Sequence, residues 1–177
     1  FLLLKALPFR RARAAVERCA NSTRDDTSVT IRISEDLTSR EIAALGGPEK
    51  ASRLLARYLR AEPELAKHRW AALVMIGRCG PAAEWMVPSL LGILVSDREE
   101  EWERQAAAGA IGRIGGRRAA YCLSLALRDE RWDVRFLAER GLMHLGDRDL
   151  TSALLLNEHS TPEPVTATET VSTASLV

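Results

Sequence analysis

Between Thr38 and Asn157 apolar residues recur every three or four positions, and the whole arrangement repeats along the chain. Glycines close successive blocks at Gly47, Gly80, Gly115 and Gly146, spaced 33, 35 and 31 residues apart. Eleven residues before the last three stand Arg69, Arg104 and Arg135. Three residues after each arginine is an alanine: Ala72, Ala107, Ala138. Seven after is Ile76, Ile111 or Leu142, and ten after is Cys79, Ile114 or Leu145. Offsets of 3, 7 and 10 share one side of an α-helix, so each block is predicted to bury an equivalent stripe. The small residues on that stripe let the next helix approach closely.

A second helix follows each turn. After Gly47, Ala51, Leu55 and Leu59 fall at offsets 4, 8 and 12, and after Gly115 the same offsets hold Ala119, Leu123 and Leu127. After Gly80 the equivalent run "MVPSLLGIL" starts two residues late, which reads Glu84 and Trp85 as an insertion in the turn. After Gly146 the pattern gives Leu150 and Leu154, then fails at Glu158, as a terminal unit should. A period in the low thirties built from two helices predicts an all-α fold, a short right-handed α-solenoid of about three and a half helix pairs.

The flanks differ. Residues 10–20 ("RRARAAVERCA") are helix formers, and "NSTRDDT" (21–27) breaks the pattern. "SVTIRIS" (28–34) alternates Val29, Ile31 and Ile33 with polar residues, the signal of one N-terminal strand. A single strand is not stable alone, so it is expected to pair with an N-terminal extension, an upstream domain or a partner chain. The division is therefore 1–37 (helix and strand, the end of an upstream region), 38–157 (solenoid) and 158–177 (tail). The tail is Ser/Thr-rich, proline-interrupted and without aromatics, so disorder is expected there.

Two stretches, "LRDERWDVRFLAERGLMHLGD" and "AAAGAIGRIGGRRAAYCLSLALRD", resemble the HEAT repeat, in the subgroup named after phycobilisome lyases. The likeness covers 38–157 and is strongest over 98–146. It departs where His68 and Glu103 stand in the place of Val134, and Lys67 and Trp102 in that of Asp133. The resemblance implies a ladder of Asp–Arg hydrogen bonds across the turns, here Asp97 with Arg104 and Asp129 with Arg135. Asp133 is expected to cap the helix that follows it. The subgroup's name also implies a bilin lyase or bilin chaperone as one alternative function. Iron-binding hydroxylases of this architecture use His-Glu dipeptides, and none occurs here.

Catalysis has no candidate by spacing. His68, His144 and His159 are isolated, and Cys19, Cys79 and Cys122 form no metal-binding or disulfide pattern, as in a reduced cytoplasmic protein. No cofactor or metal is expected. "GAIGRIGG" (109–116) follows a helix rather than a strand, so helix packing explains it better than phosphate binding does.

Surfaces remain. Positions on the second helices that point away from the stripe hold Arg53, Arg57 and Arg60, then Arg117, Arg118 and Tyr121, with Trp85 in the inserted turn. Arginine with aromatics is the composition of interface hot spots. Trp70, Trp102 and Trp132 stand near the starts of first helices, as staples or contacts. The formal charge of +1 argues against nucleic acid, although the arginine groups keep a basic concave face as an alternative.

A chain that begins at Phe1 is expected to continue a longer protein. "FLLLKALPF" before "RRAR" is too short to span a bilayer, so membrane contact is expected only through a helix further upstream. The low-lysine, arginine- and alanine-rich composition is of the kind GC-rich bacterial genomes encode. The expected function is a non-enzymatic protein–protein interaction scaffold or sensor module with a protein partner.

Overall fold

The computed structural model describes residues 2–22, 35–60 and 68–146, with side chains from Phe9 onward. Its regular elements are helical throughout these residues, and no strand occurs among them. The strand expected at 28–34, the last block's second helix and the tail at 158–177 lie outside the described residues.

Among the described residues eight α-helices follow one another: α1 (Leu2–Asn21), α2 (Glu35–Ala44), α3 (Pro48–Arg60), α4 (Arg69–Arg78), α5 (Val87–Leu94), α6 (Glu101–Ile114), α7 (Gly116–Ala126) and α8 (Trp132–Leu142). The two extra residues after Gly80 are taken up by a 3-10 segment, Gly80–Met86, that leads into a short α5. Gly80 makes that turn with φ +58°, and Gly115 breaks α6 from α7 with φ +68°. Both lie in the left-handed region where a side chain would be strained.

The helices form two rows. Along one row α4 packs on α6 and α6 on α8; along the other α3 meets the 3-10 segment, and α7 meets both that segment and α5. The stripes read at offsets 3, 7 and 10 are buried: Ala72, Ile76 and Cys79 on α4 and its end, Ala107, Ile111 and Ile114 on α6, Ala138, Leu142 and Leu145 on and after α8. Ala51, Leu55, Ala119 and Leu123 seal the second row, while Leu59 and Leu127, at helix ends, are only half-buried.

Close approach rests on glycine at one recurring register. Gly77 and Gly112 each stand three residues before a turn glycine. A Cβ on Gly77 would lie 2.8 Å from the Ala110 Cα, and one on Gly112 would overlap the Gly141 carbonyl oxygen. Ala110 and Gly141 are themselves equivalent, five residues before Gly115 and Gly146. The same small-residue crossing thus joins α4 to α6 and α6 to α8. "GAIGRIGG" owes its glycines to this crossing and to the turn.

The described part of 1–37 is not a separate unit. Ala12, Ala15, Val16 and Cys19 of α1 are fully buried in the same core as the later helices. Phe9 lies against Tyr58 of α3, ring centroids 6.4 Å apart. Arg18 Nε and Nη2 donate to both carboxylate oxygens of Glu41 at 2.6 and 2.7 Å, tying α1 to α2.

Candidate functional site

The turns carry most of the paired charge, and the pairing differs from the expected ladder. Arg104 donates to Asp133, not to Asp97. Arg69 donates to Glu99 at 2.8 Å and lies 3.5 Å from Glu103. Both arginines therefore reach forward from one first helix to the start of the next. Arg135, with no later helix described, turns back and donates to the backbone carbonyls of Asp129 (2.9 Å) and Glu130 (2.6 Å). Asp97 and Asp129 are instead joined by Arg131, which donates to Asp97 and, at 3.1 Å from Nε, to Asp129.

The reason is positional. Asp97 sits in the loop before α6 and faces the next loop, whereas Arg104 has entered α6 and faces the first turn of α8. Asp133 does not cap α8. The residue before the helix is Arg131, which makes no capping bond, and Asp133 in the first turn accepts Arg104. That hydrogen bond, helped by backbone amides of the helix start, holds its carboxyl below the ordinary range.

Glu103 is nearly buried in this network. Burial and the hydrogen bond with Glu99 push its carboxyl up to about 7. For Glu99 burial is outweighed by hydrogen bonds with Glu103 and Arg69, and its carboxyl falls below the ordinary range. The pair therefore shares a proton beside one guanidinium.

The residues singled out for binding all face outward on the second row. Arg53, Arg57 and Arg60 are exposed on α3, and Arg117, Arg118 and Tyr121 on α7. Trp85, 43% exposed, projects from the 3-10 segment between them. None of these five arginines forms an ion pair among the described residues. α5, which lies beside α7, turns Pro88, Ser89 and Gly92 outward, and nothing stands within 4 Å of the place a Cβ on Gly92 would take. Charge on α3 and α7 thus flanks a strip of small neutral residues.

Sequence reasoning missed Leu125, one turn beyond Tyr121 and 43% exposed, which extends the apolar part of this face. Its place four residues after Tyr121 is the signal that finds it. It also left open the tryptophans of the first helices. Trp70 packs partly into the core, whereas Trp102 and Trp132 are exposed.

The thiols are placed for packing. Burial pushes Cys19 and Cys79 up to about 11, and raises Cys122 as well, so each stays protonated at neutral pH. Among the described residues no group of three His, Cys, Asp or Glu side chains is arranged to hold a metal ion. No described helix is long and apolar enough to cross a membrane. Comparison with family models, with curated proteins and with solved structures finds no significant match to this chain.

Proposed function

We propose that the chain is a protein-interaction scaffold built on HEAT-like helix pairs stacked as an α-solenoid, and that a protein partner binds across the outward faces of α3, α5 and α7. The observation that carries this reading is the contrast in charge use between the rows. Arg69 and Arg104 on the first row are held by carboxylates, while Arg53, Arg57, Arg60, Arg117 and Arg118 on the second face solvent beside exposed Trp85 and Tyr121. Desolvating such arginines and aromatics against a complementary surface is how hot spots bind. The repeated Gly77–Ala110 and Gly112–Gly141 crossings support the solenoid reading, since each unit meets the next in one register. Three buried thiols fit a reducing, cytoplasmic setting.

The test is affinity capture by the full chain from native lysate, beside a variant with Arg117, Arg118 and Tyr121 changed to alanine. A stoichiometric protein retained by the parent and lost by the variant supports the scaffold. Nucleic acid eluting with salt moves the reading to a basic nucleic-acid face, and a bilin-bearing complex moves it to the bilin-handling alternative.

A further inference from the structure

The residue two positions before each of the last three turn glycines is basic: Arg78, Arg113 and His144. These positions lie in the last turn of α4 and of α6 and just after α8, which are successive neighbours, so the three fall along one edge of the first row. The edge is drawn together by the glycine crossings. Arg113 Nη1 lies 3.1 Å from the point a Cβ on Gly109 would occupy, and His144 Cδ2 and Nε2 lie within 4.0 Å of the same point. The Gly112 position faces the His144 Cβ as well as Gly141. Arg140, one turn before His144, is placed by its contact with Phe136, its guanidinium 5.9 Å from the ring centroid.

Negative charge here is scarce. Arg78 pairs with Glu35, an exposed carboxylate at the start of α2. Arg113 is half-buried and forms no ion pair among the described residues. Burial, followed by the Arg78 charge, depresses the Arg113 guanidinium, and the Glu35 charge only partly opposes them. Burial, then Arg113, Arg140 and Arg78, depress the His144 imidazole. The partial negative charge of a helix C-terminus rewards one cation at each helix end. It does not account for cations of three helices converging around a half-buried guanidinium, when the acid that acts on it, Glu35, is already paired with Arg78.

We propose that Arg78, Arg113, Arg140 and His144 form a binding site for a dianionic oxyanion of the phosphate type. Guanidinium forks match phosphate oxygens two at a time, and the neutral imidazole still offers an N–H. A phosphate monoester brings nearly two negative charges at neutral pH, against one for a carboxylate. His144 and Arg140 are exposed, so the site opens to solvent. The site lies on the other row from the α3–α5–α7 face and stands or falls independently of it.

The experiment is calorimetry on the full chain at low ionic strength and neutral pH, with the His144 ring followed by long-range proton–nitrogen spectra. The probes are inorganic phosphate, acetate at matched ionic strength, and a phosphoserine peptide beside its serine counterpart. Expected is a saturable His144 shift with phosphate, about tenfold or more weaker with acetate. Arg113→Gln weakens phosphate binding by a similar factor, and the Arg117/Arg118 alanine variant leaves it unchanged. Should Arg113→Gln fail to fold, Arg140→Gln and His144→Ala, both at exposed side chains, carry the same test. A phosphoserine peptide that binds more tightly than phosphate identifies a phosphate borne by a protein; equal affinity identifies the free ion. Shifts that follow ionic strength alone, or binding that survives the site variants, overturn the proposal.

Discussion

The two helix rows are made of similar residues put to different use. In the α4–α6–α8 row, glycine and alanine bring backbones together at Gly77–Ala110 and Gly112–Gly141, and Arg69 and Arg104 are held by acids of the following helix. In the α3–α5–α7 row, Gly92 meets nothing, and arginines of α3 and α7 face outward without ion pairs among the described residues. The first row is a continuous joint. The second is a surface that the joint holds in place.

Glycine substitutions give the widest separation between the rows. Gly112→Ala sets a methyl group onto the Gly141 carbonyl, and helices pinned on both sides cannot move apart cheaply. A loss of about 3 kcal/mol or more, up to failure to fold, is expected in chemical denaturation. Gly77→Ala, 2.8 Å from the Ala110 Cα, should cost about 1–3 kcal/mol. Gly92→Ala has open space and a helical backbone, so it should stabilise by about 0.5–1 kcal/mol. If Gly112→Ala and Gly92→Ala behaved alike, the comparison would collapse.

The next contrast lies within the first row, between arginines that reach forward and the one that does not. Asp133→Ala leaves Arg104, whose side chain is 16% exposed and whose Nε already lacks a partner, without its carboxylate. A cost of about 1–3 kcal/mol is expected. Arg135→Gln removes only bonds to exposed carbonyls, and should stay within about 0.5 kcal/mol of the parent. Urea midpoints for the two variants decide whether forward pairing is what stabilises the row.

These joints were only partly legible from the residues. The turn glycines, the buried stripes and the outward arginines follow from helical offsets, which need nothing beyond one helix. The partner of Arg104 did not follow, because a pair between units depends on where the loop leaves the next helix, and Arg135 meets Asp129 at its backbone carbonyl rather than its carboxylate. The spacings of 35 and 31 residues place different acids, Glu99 and Glu103 in one case and Asp133 in the other, opposite equivalent arginines. Residues 10–20 read as helix formers, but that Ala12, Ala15, Val16 and Cys19 form the buried side of that helix, and which neighbours cover it, did not follow. The Arg78–Arg113–His144 edge escaped for a different reason. It lies at the same register before each turn, but its meaning depends on how closely α6 and α8 cross.

Proton sharing by Glu99 and Glu103 supplies a pH test of the same joint. Glu103 stands at about 7 in the folded chain, above its ordinary value of 4.5. An acid whose folded value is raised contributes stability that is full below its unfolded value and lost as pH rises through the folded one. Stability should therefore fall between about pH 4.5 and pH 7, by an amount on the order of 2 kcal/mol. Glu99 works in the opposite sense, because its lowered carboxyl withdraws stability only as pH drops below its ordinary range. Glu103→Gln keeps a donor to Glu99 without the charge, so it should flatten the neutral limb of the profile and leave the acid limb. An unchanged slope in that variant would place the pH dependence elsewhere.

The smallest expected effect on stability is the most telling for the second row. Arg117, Arg118 and Tyr121 are exposed on α7, and the two arginines make no ion pair among the described residues. Replacing all three by alanine in a helix removes no buried contact and puts in the best helix former. Thermal and urea midpoints should move by less than about 0.5 kcal/mol per site. If instead the triple variant melts early, these side chains brace the fold and the outward face is not free to bind. An unchanged midpoint together with lost capture of a partner separates binding from folding, which is the division of labour the two rows imply.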